Sequence, residues 1–124
     1  MAKKRAVIAD AELAVLKILW ERGPLTARAI TEAVYPDGEE SEFAAVHSFL
    51  QRLERKGLVA RDRSSFVHVF SPTASCADIL GEELQAVAER LGGGSIAPLL
   101  MQLIDQKRLS KKEADEIRKM LDEY

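Results

Sequence analysis

Apolar side chains recur every three to four positions along much of this chain, a spacing that predicts amphipathic helices. The clearest case lies within residues 41–55, where Val46, Leu50 and Leu53 at i, i+4 and i+7 form one apolar stripe. Lys56-Gly57 follows with a last-turn cation and a glycine suited to left-handed backbone, which together end a helix. This stretch therefore predicts a helix with one buried face and one polar face.

A short β-structured segment is expected directly after this helix. Leu58-Val59 restarts the chain as a strand, and the return strand is predicted from β-rich residues, namely Phe66, Val67, Val69 and Phe70. Ser71-Pro72 closes the unit. A helix with a polar face followed by a basic hairpin is typical of a winged helix-turn-helix, in which the helix enters the major groove and the wing lies along the DNA backbone.

Two helices are predicted before this segment. Asp10 can cap the first, which runs to about Arg22 and is stopped by Gly23-Pro24, and Thr26 caps the second. The inward positions of the first helix are Leu13, Leu16, Leu19 and Trp20, and those of the second are Ala29, Ile30, Ala33 and Val34. The expected fold is therefore mainly α with a small β-hairpin wing, and residues 1–72 form a winged-helix DNA-binding domain.

Residues 73–124 predict a helical dimerisation domain of three short amphipathic helices. The first covers 73–91, the second runs from Ile96 to about Gln106, and a capping box at Ser110-Lys-Lys-Glu113 opens the third. About 50 helical residues bury too little surface alone, so a second copy is expected to cover them across a two-fold axis. The alternative is a monomer whose helices fold back. The expected interface residues are Leu80, Leu84, Leu99, Leu100, Leu103, Ile104, Ile117 and Leu121.

Charge is distributed unevenly along the 124 residues. The net charge of −2 argues weakly against a nucleic-acid partner. Positions 47–63, however, hold five cations against Glu54 and Asp62, which gives this segment a net charge of +3. The basic charge is thus concentrated on the predicted helix and hairpin, as expected for double-stranded DNA as the partner.

Other chemistry finds little support in the sequence. Cys76 is the only cysteine and His47 and His68 are the only histidines, so we expect no intrachain disulfide, no zinc site of the Cys/His kind and no metal. No glycine-rich phosphate loop or Ser/His/Asp set is present, so we expect neither an enzyme nor a cofactor. No apolar run approaches the ~18 residues of a bilayer span, and we expect a cytoplasmic protein without membrane insertion.

These features together resemble the penicillinase repressor (BlaI/MecI/CopY) family of winged-helix transcriptional regulators. The resemblance is carried by residues 10–20 with 23–28, by the Leu-x-Arg-Leu-x-x-Lys-Gly-Leu-Val pattern within 46–59, and by Val-x-Val-Phe-x-Pro at 67–72. It implies a homodimeric bacterial transcriptional repressor that binds a pseudo-palindromic operator. It also implies that the helix at 41–55 is the recognition helix.

If the helix at 41–55 docks on DNA as the resemblance implies, ten residues are candidates for DNA contact: Arg28, Ala44, Ala45, His47, Ser48, Gln51, Arg52, Arg61, Arg63 and Ser65. A solvated Arg28 and a structural Arg52 that bridges to Glu54 or to a neighbouring helix are alternatives. The sequence has Ala44-Ala45 where the family often has two threonines, and Ser65-Phe66 where its wing usually has Gly-Arg. Four acids, Asp37, Glu39, Glu40 and Glu42, precede the recognition helix. We expect weaker DNA affinity than in the family, or a different operator.

Regulation is implied only by the resemblance. In the family a membrane-bound antirepressor peptidase senses a β-lactam, and the repressor is then cut within its dimerisation helices. The corresponding bond here joins Gln102 and Leu103, where the family often has Asn-Phe. The C-terminal cysteine cluster of the copper-responsive branch is absent from the sequence. Two other roles stay open: a winged helix that contacts protein through the acidic cluster and Phe66, and a regulator with a ligand pocket between the C-terminal helices.

Overall fold

The computed structural model describes residues 7–124, which form six helices and three short strands. In chain order these are α1 (Asp10–Arg22), β1 (Leu25–Thr26), α2 (Ala27–Val34), α3 (Glu40–Arg55), β2 (Val59–Asp62), β3 (Val69–Pro72), α4 (Cys76–Leu91), α5 (Ala97–Asp105) and α6 (Lys111–Asp122). The chain divides into two compact units, one that ends at Leu80 and one that starts at Gly81. Within residues 7–124, no helix combines the length and the apolar character that a bilayer span requires.

The first unit packs α1, α2 and α3 against a small sheet around one apolar core. The predicted stripe of α3 is fully buried, because Val46, Leu50 and Leu53 all face this core. The other core members are Val15, Leu16, Leu19, Ala27, Ile30, Leu58, Val59, Phe70 and Ile79. The core thus fixes which face of α3 is inward and leaves its polar face outward.

The first unit continues past the expected boundary at residue 72. The Trp20 indole N–H donates to the Ala74 carbonyl at 2.8 Å, and Ile79 in the first turn of α4 is buried in the same core. These contacts attach the segment after β3 to α1.

The sheet has three antiparallel strands in the order β1-β3-β2, whereas the sequence predicted a two-stranded hairpin. The additional strand β1 has only two residues, with Leu25 opposite Phe70 and Thr26 opposite Val69. A segment so short carries no period-two pattern, and it becomes a strand only because β3 offers it hydrogen bonds.

The return strand begins at Val69, so the prediction that Phe66 and Val67 belong to it was wrong. Both lie in the loop that follows Asp62, and the Phe66 side chain is 100% exposed. The carboxylate of Asp62 accepts the Ser64 N–H at 2.9 Å, which forms a side-chain turn immediately after β2. This turn ends the pairing of β2 with β3. Phe66 and Val67 have side chains that favour a strand, but this preference has an effect only where a neighbouring strand is paired with them.

Helix ends agree with the sequence at two of three predicted caps. The Thr26 hydroxyl accepts the Ala29 N–H at 3.1 Å, and the capping box of α6 is formed as predicted by Ser110 and Glu113. Asp10 is not a cap, however, because it is the first residue of α1 and Ala9 occupies the cap position.

A buried ion pair joins the start of α1 to the end of α3. Lys56 pairs with the carboxylate of Glu12, which is 2% exposed, and its ammonium also donates to the Val7 carbonyl at 2.7 Å. The sequence places Lys56 among the cations outside the apolar stripe of α3. The structure shows that this cation holds α1 against α3 and is not free for another partner.

In the second unit, the glycines at 92–94 form a closed turn between α4 and α5. The N–H groups of Gly92 and Gly94 both donate to the Ala88 carbonyl, at 2.8 and 2.9 Å. A Cβ on Gly92 would come within 2.7 Å of the Ser95 carbonyl oxygen, so no larger residue fits there without a shift. This turn ends α4 with three consecutive glycines in place of a longer loop.

Candidate nucleic-acid interface

The outward face of α3 presents a row of small, polar and cationic side chains. Ala44, Ser48, Gln51 and Arg55 follow one another at i, i+4, i+7 and i+11, opposite the buried stripe. Ala44, Gln51 and Arg55 are exposed and Ser48 is half-buried. The sequence-based set of candidates omits Arg55, although its spacing of four residues from Gln51 could have identified it.

The remaining candidates on α3 flank this row. Arg52 is exposed, whereas Ala45 and His47 are half-buried. Among the described residues Arg52 forms no ion pair, so its predicted alternative role as a bridge to Glu54 is not observed. Both carboxylate oxygens of Glu54 are instead occupied by arginines of the wing. Arg52 is therefore a cation available on the outer surface of α3.

An aromatic contact places Arg28 of α2 beside the first half of α3. The Arg28 guanidinium lies 4.7 Å from the centre of the Phe43 ring. The His47 ring contacts the Phe43 ring edge-on, with 4.9 Å between the two ring centres. Arg28 is exposed and forms no ion pair within residues 7–124. The structure thus brings together Arg28 and His47, which the sequence separates by nineteen positions.

The two wing arginines have different environments. Arg61 has a side chain that is only 15% exposed, pairs with Glu54 at 3.1 Å and lies over the Phe70 ring at 4.8 Å. Arg63 also reaches Glu54, at 3.2 Å, but its side chain is 60% exposed. Arg61 therefore holds the wing onto α3, and Arg63 is the more accessible of the two wing cations.

Hydrogen bonds shape the tip of the wing. The Ser65 hydroxyl donates to the Val67 carbonyl at 2.8 Å, which ties down the hydroxyl predicted to contact DNA. The pKa of Asp62 lies below its ordinary value because its carboxylate accepts from the Ser64 hydroxyl and the Ser64 N–H. Phe66 is left fully exposed between these contacts. The tip is thus a compact loop that presents the Phe66 ring, and the Asp62 carboxylate at its base is bonded to Ser64.

Part of the acidic cluster at 37–42 stabilises the first turn of α3. The Glu42 carboxylate accepts from the Ser41 hydroxyl at 2.7 Å and from the Glu39 N–H at 3.0 Å, and these bonds hold the pKa of Glu42 below its ordinary value. A carboxylate at the first turn also interacts favourably with the helix dipole. One of the four acids that were expected to oppose a phosphate backbone therefore caps α3.

The sequence model of the penicillinase repressor family matches residues 8–123. The chain belongs to this family. It is 30% identical over 118 residues to the transcriptional regulator BlaI of Mycobacterium tuberculosis, a match that covers 94% of this chain and 83% of that protein. It is 25% identical over 123 residues to a penicillinase repressor of Staphylococcus aureus, which covers 99% of this chain and 97% of that protein.

The fold agrees with this membership. The solution structure of the DNA-binding domain of the repressor BlaI superimposes with a TM-score of 0.51 at 24% sequence identity, and the match covers 63% of this chain and 93% of that domain. The predicted fold class, a winged helix-turn-helix with additional C-terminal helices, is confirmed. The family comprises transcriptional repressors and not enzymes, and it has a DNA-binding winged helix.

Proposed function

We propose that this protein is a homodimeric transcriptional repressor that binds a pseudo-palindromic operator. The observation that carries the proposal is the outward face of α3, which the core holds in one orientation. Its cations Arg52 and Arg55 have no ion-pair partner among the described residues, and Gln51 lies exposed between them and Ala44. Such a repressor acts at the chromosome, in the bacterial cytoplasm.

Three side chains of α3 match features of the major groove. Gln51 can form two hydrogen bonds with adenine, Arg52 can do the same with guanine, and the Ala44 methyl suits the methyl group of thymine. Arg28 and Arg63 would bind backbone phosphates, from α2 and from the wing. In a dimer, two copies of α3 would reach half-sites about 34–36 Å apart or at a multiple of this distance.

Substitution of Arg52 by alanine tests the docking. One good base contact discriminates by about 1–3 kcal/mol, so Arg52→Ala should weaken operator binding by roughly 5- to 150-fold. Lys112→Ala, which removes an exposed cation from α6, is the matched control and should bind as the parent does. Equal affinities of the two variants in a fluorescence-anisotropy titration would contradict the assignment of α3 as the recognition helix.

Dimerisation is proposed from the apolar surface of the second unit. Exposed large apolar residues on its three helices include Leu84, Val87, Leu91, Leu100, Met101, Ile104, Met120 and Leu121. Leu80 is exposed at the end of the first unit, and Leu99 is half-buried. A soluble monomer rarely exposes so many apolar side chains together. In a dimer with a two-fold axis, the apolar surface of each copy would cover that of the other.

Ile104→Glu tests the dimer with little risk to the protomer, because Ile104 is 62% exposed. The charge should convert the dimer to a folded monomer in sedimentation-velocity experiments. Gln85→Glu adds the same charge at an exposed polar position of α4 and should leave the dimer intact. A dimer that persists in Ile104→Glu would place the interface elsewhere.

We also propose that proteolysis in the dimerisation domain ends repression. The expected bond joins Gln102 and Leu103, which are both exposed in α5. A peptide bond inside a helix must unfold locally before it can fit a protease cleft, so local opening of α5 would accompany the attack of an antirepressor peptidase. Mass spectrometry of the protein from β-lactam-treated cells should detect a fragment ending at Gln102, and an intact chain during derepression would contradict the proposal.

A further inference from the structure

A cavity of about 280 Å³ lies in the first unit between the start of α2, the first half of α3 and the wing. Its lining includes Phe43, Phe66, Val67 and Phe70, so much of the wall is aromatic or aliphatic. This volume is slightly below the range of roughly 300–1,000 Å³ that is typical of small-molecule sites. The cavity therefore suits a compact ligand with a flat apolar body.

The polar part of the lining is cationic or neutral. Arg28 and Arg61 contribute, together with His47 and His68, and no carboxylate belongs to the wall as the structure describes it. Each arginine lies over a phenylalanine ring of the same wall, Arg28 over Phe43 and Arg61 over Phe70. Aromatic rings and guanidinium groups therefore line the same space, which favours an anion attached to a ring over a bare inorganic ion.

One donor in this wall lacks an acceptor. The Nε–H of Arg61 is buried and, among the described residues, has no hydrogen-bond partner, although the Nη2 of the same side chain pairs with Glu54. This donor has no surface that a ligand atom can reach, so Arg61 acts on an anion only through its positive charge. Arg28 is the donor that a ligand can reach, because it is exposed and has no ion-pair partner within residues 7–124.

We propose that this cavity is a binding site for a small aromatic carboxylate. The ring of the ligand lies between Phe43 and Phe66, and its carboxylate accepts hydrogen bonds from Arg28. The site is separate from the row of side chains on the outer face of α3. It shares Arg28 and His47 with the candidate DNA contacts, and it includes wing residues 66–68.

Occupation of the cavity has a consequence for the operator, and this step rests on the proposed function. Arg28 cannot neutralise a DNA phosphate while it binds the ligand carboxylate, and the wing residues that enclose the ring cannot move freely against the duplex. Ligand and operator therefore compete, and a small aromatic acid acts as an inducer.

Direct binding is measured first, on the full-length chain without DNA. Benzoate is the probe, inorganic phosphate supplies a charge without a ring, and benzamide supplies a ring without a charge. In NMR titrations to about 10 mM, benzoate should shift the ring resonances of His47 and His68, with at least tenfold weaker binding of the other two probes. No shift with benzoate, or equal binding of benzoate and phosphate, would overturn the site.

Two variants locate the binding. Arg28→Gln and Phe66→Ala remove one donor and one ring from exposed positions, so the fold should persist, and each should weaken benzoate binding by about tenfold. Lys17→Gln removes an exposed cation from α1 and should leave affinity for benzoate unchanged. Identical affinities in all three variants would show a non-specific anion effect and overturn the proposal.

The competition is measured separately, by adding benzoate to the preformed duplex complex. Release of the duplex by benzoate, with no release by benzamide, supports the inducer role. Benzoate binding that leaves duplex affinity unchanged overturns the competition. If the protein binds no duplex at all, the proposed repressor function fails while the benzoate titration of the free chain still decides the cavity.

Discussion

Replacement of Lys56 by methionine should strongly destabilise the first unit. The change keeps the length of the side chain but leaves the Glu12 carboxylate, with 3% of its side chain exposed, without its cation. The backbone N–H of Ala9 is the other donor to Glu12 and lies at a long 3.4 Å. Removal of one partner from a buried pair costs about 3–5 kcal/mol, and the 21% exposure of Lys56 places the expected loss near 3 kcal/mol.

The double variant Glu12→Gln/Lys56→Met separates charge from packing. A glutamine keeps an acceptor for the cap of α1 and carries no charge, so the double variant should lose only about 1 kcal/mol relative to the parent. The double variant should therefore be about 2 kcal/mol more stable than Lys56→Met alone, whereas at independent sites the second substitution would only add its own loss.

Urea unfolding at pH 7, followed by Trp20 fluorescence at one fixed protein concentration, measures both losses. A loss of 3 kcal/mol should lower the urea midpoint by roughly 1–3 M at a typical dependence on denaturant. Lys17→Met, at an exposed position of α1, is the control and should change stability by no more than about 0.5 kcal/mol. Equal stability of the single and double variants would refute the buried ion pair as a determinant of stability.

Further outcomes are expected at the wing and at the start of α6. Arg63→Ala should reduce the slope of log K against log salt for duplex binding by about 0.9, whereas Arg61→Ala should lower the urea midpoint because it leaves Glu54 in a half-buried site without its closest cation. The pKa of Glu113 in NMR titration should lie below its ordinary value of 4.5, because the Ser110 N–H and hydroxyl bind its carboxylate. The stabilisation of α6 by this bond should be complete above pH 4.5 and be lost as the pH falls through the lowered pKa, so Glu113→Gln should show a shallower loss of helix in acid.

Local patterns predicted most of the helices because each carries its own signal. The stripe of α3 at Val46, Leu50 and Leu53 is fully buried, and the Ser110 capping box forms as expected. These features depend on neighbours within one or two turns, so the sequence alone contains them.

Features that depend on distant partners were not predictable in this way. The pair of Lys56 with Glu12 joins residues 44 positions apart, and the strand at Leu25–Thr26 exists only through its pairing with β3. The same limit applies to the wing, where Arg61 and Arg63 look equivalent in the sequence. Only the three-dimensional position of Glu54 and Phe70 makes Arg61 structural and leaves Arg63 exposed.

The most direct test of the repressor account is a duplex titration. The full-length protein is titrated against duplex from the region upstream of its own gene at two salt concentrations, with an unrelated duplex as competitor. The account predicts preferential binding of the upstream duplex, weakened at higher salt by about 0.9 logarithmic units per decade for each phosphate contact. Equal, salt-independent binding of the two duplexes would contradict the account and favour a protein partner at Phe66 and the acidic cluster.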